Sequence, residues 1–169
     1  MMRYGFIILA LVFGLSRALV AEPVPENAMK AAYLYNFALF TEWPAHTDAI
    51  NICIPSGESI AYAFDGIEGK NVRGMPLKVV RLTSMQNVSG CQILYLGEAD
   101  RSRVQDFLGR IGNAPILTVT DVDGLLEQGV MIGMFENNRR LVVEVNLDAS
   151  KRAGLAISSK LLRLARRVY

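Results

Sequence analysis

Cys91-Gln-Ile-Leu-Tyr-Leu96 and Pro115-Ile-Leu-Thr-Val119 are two short apolar runs of the length expected for buried strands. The segment between them, Asp100 to Arg110, carries Val104 and Phe107 at helical spacing. Two such runs joined by a helix predict parallel strands with a crossover helix. This unit decides the fold class, because parallel strands belong to α/β domains whose helices cover the sheet.

The same alternation extends towards the beginning of the chain. Ile50 to Ile54 and Leu77 to Leu82 are predicted strands, and Ile60 to Phe64 is a candidate short helix. Ala28 to Phe40 predicts an earlier helix, with Asn27 as its N-cap. This helix is apolar on most sides, so we expect it to be largely buried.

The pattern changes in the last third of the chain. Val130 to Phe135 and Leu141 to Val145 predict the two strands of a β-hairpin, because the Asn-Asn pair between them suits a tight reversal. Asp148 to Val168 predicts one long helix capped by Asp148, and Asp121 to Gly129 predicts a turn around a short helix. The predicted fold is therefore α/β, a mostly parallel sheet flanked by helices on both faces, with a C-terminal β-hairpin and a long C-terminal helix.

The N-terminus is typical of a secretory signal. Arg3 precedes the apolar run Phe6 to Phe13, and small residues follow. A membrane anchor or a buried first helix is the alternative, but the run is shorter than the roughly 20 residues needed to span a bilayer. We predict a signal peptide over residues 1–21 and a single domain over residues 22–169, with cleavage after Ala18 as the alternative.

The charge distribution argues against a nucleic-acid partner. The sequence has 18 basic and 16 acidic residues, and two of the basic residues fall in the predicted signal, so the exported chain is close to neutral. Residues 149–169 hold six basic residues and no acidic one. A nucleic-acid binder would spread positive charge over a face with aromatic platforms. We therefore expect no nucleic-acid partner, and a mature chain that does not span a membrane.

The predicted C-terminal helix is amphipathic. At 100° per residue its basic residues share one face and its apolar residues the other. The basic residues are Arg152, Lys160, Arg163 and Arg167, and the opposite face holds Ile157, Leu161, Leu164 and Val168. The basic face is either a solvated outer surface or a binding surface for an acidic partner or anionic headgroups.

Residues for catalysis or for a metal site are scarce. His46 is the single histidine, and a metal site needs a cluster of histidine, cysteine or carboxylate ligands. Asp121-Val-Asp123-Gly124 places its glycine too early for a calcium loop. The sequence therefore predicts no enzyme activity, no cofactor and no metal. The competing hypothesis is a hydrolase that uses an acid pair such as Glu42 and Asp48.

Cys53 and Cys91 are the only two cysteines. In an exported chain an even number of cysteines suggests a disulfide, and two buried free thiols are the alternative. A bridge would close a long loop and contribute about 4 kcal/mol to stability.

Three stretches of the chain resemble a known family. They are Lys30-Ala-Ala-Tyr-Leu-Tyr-Asn-Phe37 with Glu42-Trp-Pro44, then Gly90-Cys91-Gln-Ile-Leu-Tyr95, and last Asn146 to Gly154 with Ile157 to Ala165. Over nearly the whole mature chain the sequence is similar to the YfiR-like family of periplasmic repressor proteins. One departure is that members often have Gly-Gly-Met-Ile-Asn where this chain has Gly129-Val-Met-Ile-Gly133.

The resemblance implies a non-enzymatic periplasmic regulator. Such proteins bind and repress the periplasmic sensing domain of an inner-membrane diguanylate cyclase, which lowers cyclic-di-GMP signalling and biofilm formation. The resemblance also implies that Cys53 and Cys91 form the family's disulfide and that the chain forms a dimer. Some members carry a second bridge, for which this chain has no cysteines.

The partner-binding residues expected for such a regulator are basic. They are Arg139 and Arg140 at the hairpin tip, and Lys160, Arg163 and Arg167 on the C-terminal helix.

A periplasmic small-molecule-sensing accessory protein for a membrane histidine kinase or other receptor is the alternative function. Its pocket is expected beyond the carboxyl ends of the parallel strands, in the loops after Ile54, Leu96 and Val119.

Overall fold

The structure is a computed structural model that describes residues 25–55, 60–83, 85–138 and 140–169. The helices are α1 (Glu26–Phe40), α2 (Ala61–Phe64), α3 (Val104–Ile111), α4 (Leu147–Arg152) and α5 (Ser159–Leu164). The strands are β1 (Thr41–Glu42), β2 (Ile50–Pro55), β3 (Asn71–Val72), β4 (Met75–Leu82), β5 (Ile93–Leu96), β6 (Leu117–Thr120), β7 (Ile132–Asn137), β8 (Arg140–Val145), β9 (Ala156–Ile157) and β10 (Ala165–Val168). The predicted signal peptide lies outside the described residues.

Eight of the strands form one mixed sheet in the order β10-β8-β7-β6-β5-β2-β4-β3. The five central strands, β4, β2, β5, β6 and β7, are parallel to one another. β7 and β8 form the predicted antiparallel hairpin, in which Asn138 adopts a positive φ of 51° that asparagine tolerates better than most residues. β1 and β9 form a separate antiparallel pair.

Helices cover both faces of the sheet, as predicted. Alternate strand residues such as Ile52 and Ile93 pack with α1, α2, α4 and α5 in one apolar cluster. Cys53 and Leu94, each one position further along its strand, pack with α3 in a second cluster on the other face. The α/β fold class is therefore confirmed, with a mixed rather than purely parallel sheet.

The prediction of one helix over residues 148–168 was wrong in its extent. The chain instead forms α4, β9, α5 and β10 in succession. Gly154 follows α4 with φ of 70°, a conformation that ends a helix and that glycine adopts without strain. Ser158 then caps α5 by accepting a hydrogen bond from the Lys160 N–H, and β10 leaves the helix to pair with β8.

Two helix N-caps and one predicted short helix differ from the sequence expectations. α1 begins at Glu26 with Pro25 before it and no side-chain cap, so Asn27 is not its N-cap. Asn146, rather than Asp148, caps α4 by accepting a hydrogen bond from the Ala149 N–H. The 121–129 segment forms turns without a helix. Within the described ranges, no helix has the length and apolarity needed to cross a membrane.

Candidate binding surfaces

A disulfide joins Cys53 on β2 to Cys91, just before β5, with the two Cα atoms 5.7 Å apart. β2 and β5 are neighbours in the sheet although they are far apart in sequence, and Cys53 lies opposite Leu94 in the register. Both cysteines are buried in the apolar cluster that α3 covers. The bridge therefore lies inside the protein, across the middle of the sheet.

Polar contacts hold the same junction together. The Asn51 side chain donates to the Gly90 carbonyl at 2.8 Å, and the Asn51 N–H donates to Oε1 of Gln92 at 2.9 Å. The Gln92 carbonyl accepts a hydrogen bond from the Trp43 indole at 3.2 Å. These bonds connect β2 and the segment before it to the segment before β5, independently of the disulfide.

Two cavities lie near this junction, at the amino ends of the parallel strands. The larger, about 440 Å³, is lined by residues that precede β2, β5 and β6, among them Trp43, Gln92 and Pro115. The second, about 320 Å³, shares Trp43 and reaches Arg73 and Met75. The alternative function placed its pocket at the opposite, carboxyl ends of the strands, so these cavities are not at the expected edge.

Ion pairs occupy the carboxyl ends of β5 and β6 instead. The Lys30 ammonium on α1 lies 2.6 Å from Asp121, which follows β6, and 2.5 Å from Glu26. Burial lowers the pKa of Lys30, but hydrogen bonds with the two carboxylates outweigh it and raise the pKa. Asp100, fully buried after β5, contacts Arg103 at 2.7 Å; burial raises its pKa, although the Gly97 N–H and Arg103 oppose this.

The candidate acid pair of the hydrolase hypothesis does not share one cavity. Glu42 lines the smaller cavity and Asp48 the larger, while His46 lines both. Glu42 forms an ion pair with Arg73 at 3.4 Å. A search of the described residues finds no group of three or more histidine, cysteine or acidic side chains that could hold a metal ion.

The structure divides the basic face that the sequence predicted for one C-terminal helix. Lys160 and Arg163 are exposed on α5, and Arg140 is exposed at the start of β8. Arg167 belongs to β10, so it does not share a helical face with Lys160 and Arg163. Arg139 lies outside the described residues.

Sequence reasoning missed Glu144, the buried carboxylate to which β10 is bound. One oxygen of Glu144 accepts hydrogen bonds from the Arg166 guanidinium, and the other accepts one from Arg167 at 2.6 Å. An irregularity in the β10–β8 register between Ala165 and Arg167 accompanies the approach of two consecutive arginines to one carboxylate. The sequence feature that could have revealed this contact is the single acid within the apolar run Leu141-Val-Val-Glu-Val145. A carboxylate that is buried with such a strand requires a charged or hydrogen-bonding partner.

The two arginines favour the ionised form of the Glu144 side chain. Burial raises the pKa of a carboxyl group, but the hydrogen bonds and positive charges of Arg166 and Arg167 outweigh burial here, and the pKa of Glu144 lies below its ordinary value. The contact is therefore a charged clasp between β8 and β10 at neutral pH.

Comparison with known families identifies the domain. A family model described as YfiR/HmsC-like matches residues 27–166, which is most of the chain and nearly all of the described part. The chain belongs to the YfiR/HmsC-like family. The matched region of this YfiR/HmsC-like protein contains the disulfide, the residues that line both cavities, and Glu144 with Arg166, while Arg167 lies one residue beyond it.

Two solved structures share the fold of the YfiR/HmsC-like chain. A conserved domain protein from Vibrio cholerae O1 biovar eltor has a TM-score of 0.55 at 9% identity, over 86% of this chain and 61% of that one. An ABC domain from Streptococcus pneumoniae, solved in complex with L-Trp, has a TM-score of 0.54 at 8% identity, over 85% and 60%. The YfiR/HmsC-like chain thus spans about three fifths of each, and the likeness concerns the fold alone.

Proposed function

We propose that this chain is a non-enzymatic periplasmic regulator that binds and represses the sensing domain of an inner-membrane diguanylate cyclase. The observation that carries the proposal is the YfiR/HmsC-like match over residues 27–166. That family is consistent with periplasmic control of cyclic-di-GMP signalling, and the partner and the direction of the effect are the proposed part.

The buried disulfide supports a periplasmic location. Disulfides persist in oxidising compartments such as the periplasm and are rare in the cytosol. The Cys53–Cys91 bridge crosses neighbouring strands in the centre of the sheet, so it forms part of the folded scaffold. A scaffold of this kind can present a constant surface to a partner outside the inner membrane.

Repression by binding needs a difference in affinity between two states of the cyclase. A regulator shifts an equilibrium only by as much as it prefers one state over the other. A tenfold preference for the inactive state of the sensing domain corresponds to about 1.4 kcal/mol. The regulator therefore requires a specific contact surface and no catalytic residue.

Coexpression with a cyclase tests the proposal. The full chain, with its own export signal, is expressed with the membrane-bound cyclase encoded nearest to it, and cellular cyclic-di-GMP is measured. We expect a fall in cyclic-di-GMP that disappears when the periplasmic domain of the cyclase is deleted. The proposal would be contradicted if cyclic-di-GMP fell equally with the cyclase that lacks its periplasmic domain. It would also be contradicted if cyclic-di-GMP did not change and the chain did not bind the purified sensing domain.

The two cavities favour a second candidate, a small-molecule-sensing accessory protein for a membrane histidine kinase or other receptor. Their volumes of about 440 and 320 Å³ fall within the range of small-ligand sites. The larger cavity combines the Trp43 ring with polar groups of His46 and Asp48. Thermal melting of the purified chain with the common amino acids and small carboxylic acids tests this candidate, and a melting temperature that no compound raises counts against it.

A further inference from the structure

The two edges of the eight-stranded sheet differ in how they are protected. At one edge, β3 pairs only with Met75 and Pro76 of β4; beyond them the Leu77 carbonyl accepts from the Gly69 N–H at 2.9 Å and the Leu77 N–H donates to the Lys70 carbonyl at 2.8 Å. The next outward N–H, that of Val79, donates to a carboxylate oxygen of Glu68 at 2.5 Å. Residues 68–70 therefore occupy main-chain groups that another strand would need, as natural proteins often arrange at exposed edges.

The β10 edge has no such cover among the residues that the structure describes. β10 pairs with β8 on one side, and no described strand lies beyond it. The Tyr169 N–H donates to the Val145 carbonyl at 3.1 Å, and the Tyr169 carbonyl accepts from the Leu147 N–H at 2.7 Å. Because successive residues of a strand direct their main-chain groups to opposite sides, those of Val168 point away from the sheet.

Exposed apolar side chains concentrate at the same edge. Among the described residues, four large hydrophobic side chains are exposed, and three of them lie in the last six residues of the sequence. Leu164 is 67% exposed, and Val168 and Tyr169 are each 40% exposed; the fourth, Tyr62, lies on α2. A cluster of apolar side chains beside an open strand is typical of a contact surface.

The charge around this edge indicates what it binds. Lys160 and Arg163 are exposed on α5, directly before β10, and residues 149–169 contain no acid. Arg166 and Arg167 remain about half exposed, although Glu144 binds both and Glu127 lies 3.7 Å from Arg167, so the basic character of this edge comes mainly from Lys160 and Arg163. A second copy of the chain would bring two basic edges together, which is electrostatically unfavourable. An anionic membrane would match the charge but would leave the outward main-chain groups of Val168 without strand partners.

We propose that β10 is a docking edge to which an acidic, extended segment of the cyclase's periplasmic sensing domain adds as a further strand. The segment hydrogen-bonds to the outward main-chain groups at Val168, places apolar side chains against Leu164 and Val168, and places carboxylates near Lys160 and Arg163. Strand addition of this kind takes affinity from main-chain bonds and specificity from side chains. The proposal rests on the proposed function, because it names the surface through which the repressor acts.

Glu144 positions this edge without contacting the incoming segment. Its carboxylate is buried and holds Arg166 and Arg167, so it fixes β10 against β8. Without the clasp, β10 would keep its main-chain bonds to β8 and Leu147 and the longer ion pair of Arg167 with Glu127, but would lose its two charged contacts with Glu144.

The test measures binding of purified mature chain to the purified sensing domain of the neighbouring cyclase. Val168→Pro removes an outward N–H while leaving the bonds to β8 in place. Leu164→Glu and the double variant K160E/R163E change exposed side chains on α5. Arg110→Glu, which reverses one exposed charge on α3 on the other face of the sheet, is the control for a change of surface charge.

We expect Val168→Pro, Leu164→Glu and K160E/R163E each to weaken binding about tenfold or more, and Arg110→Glu to leave it within about twofold. Circular dichroism verifies that each variant is folded. If the wild-type chain binds and all three edge variants bind equally well, the docking edge is wrong while the proposed function stands. If the wild-type chain itself does not bind, the proposed function fails first.

Two further outcomes would assign the edge to another occupant. Loss of binding to phosphatidylglycerol vesicles, with unchanged binding to the sensing domain, would make it a membrane surface and overturn the proposal. A change from dimer to monomer in sedimentation, again with unchanged binding to the sensing domain, would make a second copy the occupant and overturn it equally.

Discussion

Breaking the Cys53–Cys91 bridge is expected to lower stability by an amount set mainly by the loop that it closes. The two residues are 38 positions apart in the sequence, yet they lie across neighbouring strands. Reduction removes the cross-link without changing either side chain's position in the register. The hydrogen bonds from Asn51 and Trp43 across the same junction remain, so the reduced chain is expected to keep its fold.

The magnitude follows from the chain entropy of the unfolded state. For a loop of 38 residues the entropy relation predicts about 4 kcal/mol of stabilisation at 25 °C. Replacing both cysteines by alanine should cost more than reduction, because each sulfur is buried and its removal also leaves space in the α3-side cluster. We expect about 1–2 kcal/mol for this additional packing loss.

Urea unfolding, followed by circular dichroism, measures both quantities. With a slope of about 2 kcal/mol per molar urea, reduction should lower the midpoint by about 2 M, and C53A/C91A should lower it further. C53A/C91A is also its own control, since adding reductant to it should change nothing. A midpoint that falls by less than about 0.5 M on reduction would refute the argument that the bridge acts by constraining the unfolded chain.

Three further predictions concern single side chains. Glu144→Gln should lower stability by about 1–3 kcal/mol at neutral pH. The pKa of Glu144 in the folded protein lies below the unfolded value of about 4.5, so the stability that its ion pairs contribute is present above that pH and is lost as the pH falls below it. The melting temperatures of the wild-type protein and Glu144→Gln should therefore converge between pH 7 and pH 3. A difference in melting temperature that stays constant over this range would contradict the argument. Lys30→Met should cost about 2 kcal/mol by removing the ion-pair partner of Asp121 after β6, and adding Asp121→Asn should recover part of the loss in urea unfolding. Gly133→Ala should lower stability by about 1–3 kcal/mol, because a Cβ there would lie 2.4 Å from the Phe135 ring. In a protein that already carries Phe135→Ala, the same substitution should lower stability by less. An equal loss in both backgrounds would mean that the Phe135 ring is not the obstacle.

The space above Gly133 is filled by the Phe135 ring and by Leu126. Any side chain larger than hydrogen at position 133 would therefore require both neighbours to move. This restriction comes from packing between β7 and the 121–129 segment, so no single position in the sequence predicts it.

Much of the fold could be predicted from local patterns. The apolar runs Ile50–Ile54 and Leu77–Leu82 become β2 and β4, and the Asn-Asn reversal lies in the hairpin between β7 and β8. These elements could be predicted because a short apolar run and the turn residues beside it are recognised from neighbouring positions in the sequence alone. The predicted strands placed Cys53 near the end of one strand and Cys91 at the start of another, whereas in the structure Cys53 lies inside β2 and Cys91 lies two residues before β5.

The C-terminal segment shows where local patterns are insufficient. Residues 148–168 have a helical distribution of charge, yet Gly154 ends α4 and β8 draws Ala165–Val168 into the sheet. Whether those residues continue a helix depends on an edge strand more than 20 positions earlier in the chain. The basic face predicted from helical spacing therefore divides, and Arg167 binds a buried carboxylate instead of joining Lys160 and Arg163.

The sequence by itself determined that this chain forms an α/β sheet with helices on both faces, that two cysteines were available for a bridge, and that its last 21 residues are basic. Only the tertiary structure decided that β10 is the last strand of the described sheet, that Glu144 binds its two arginines, and that Glu68 accepts from a main-chain N–H of β4 near the opposite edge. Strand formation follows from the apolar spacing of neighbouring residues, whereas edges and buried ion pairs arise from contacts between residues that the sheet brings together from distant parts of the chain.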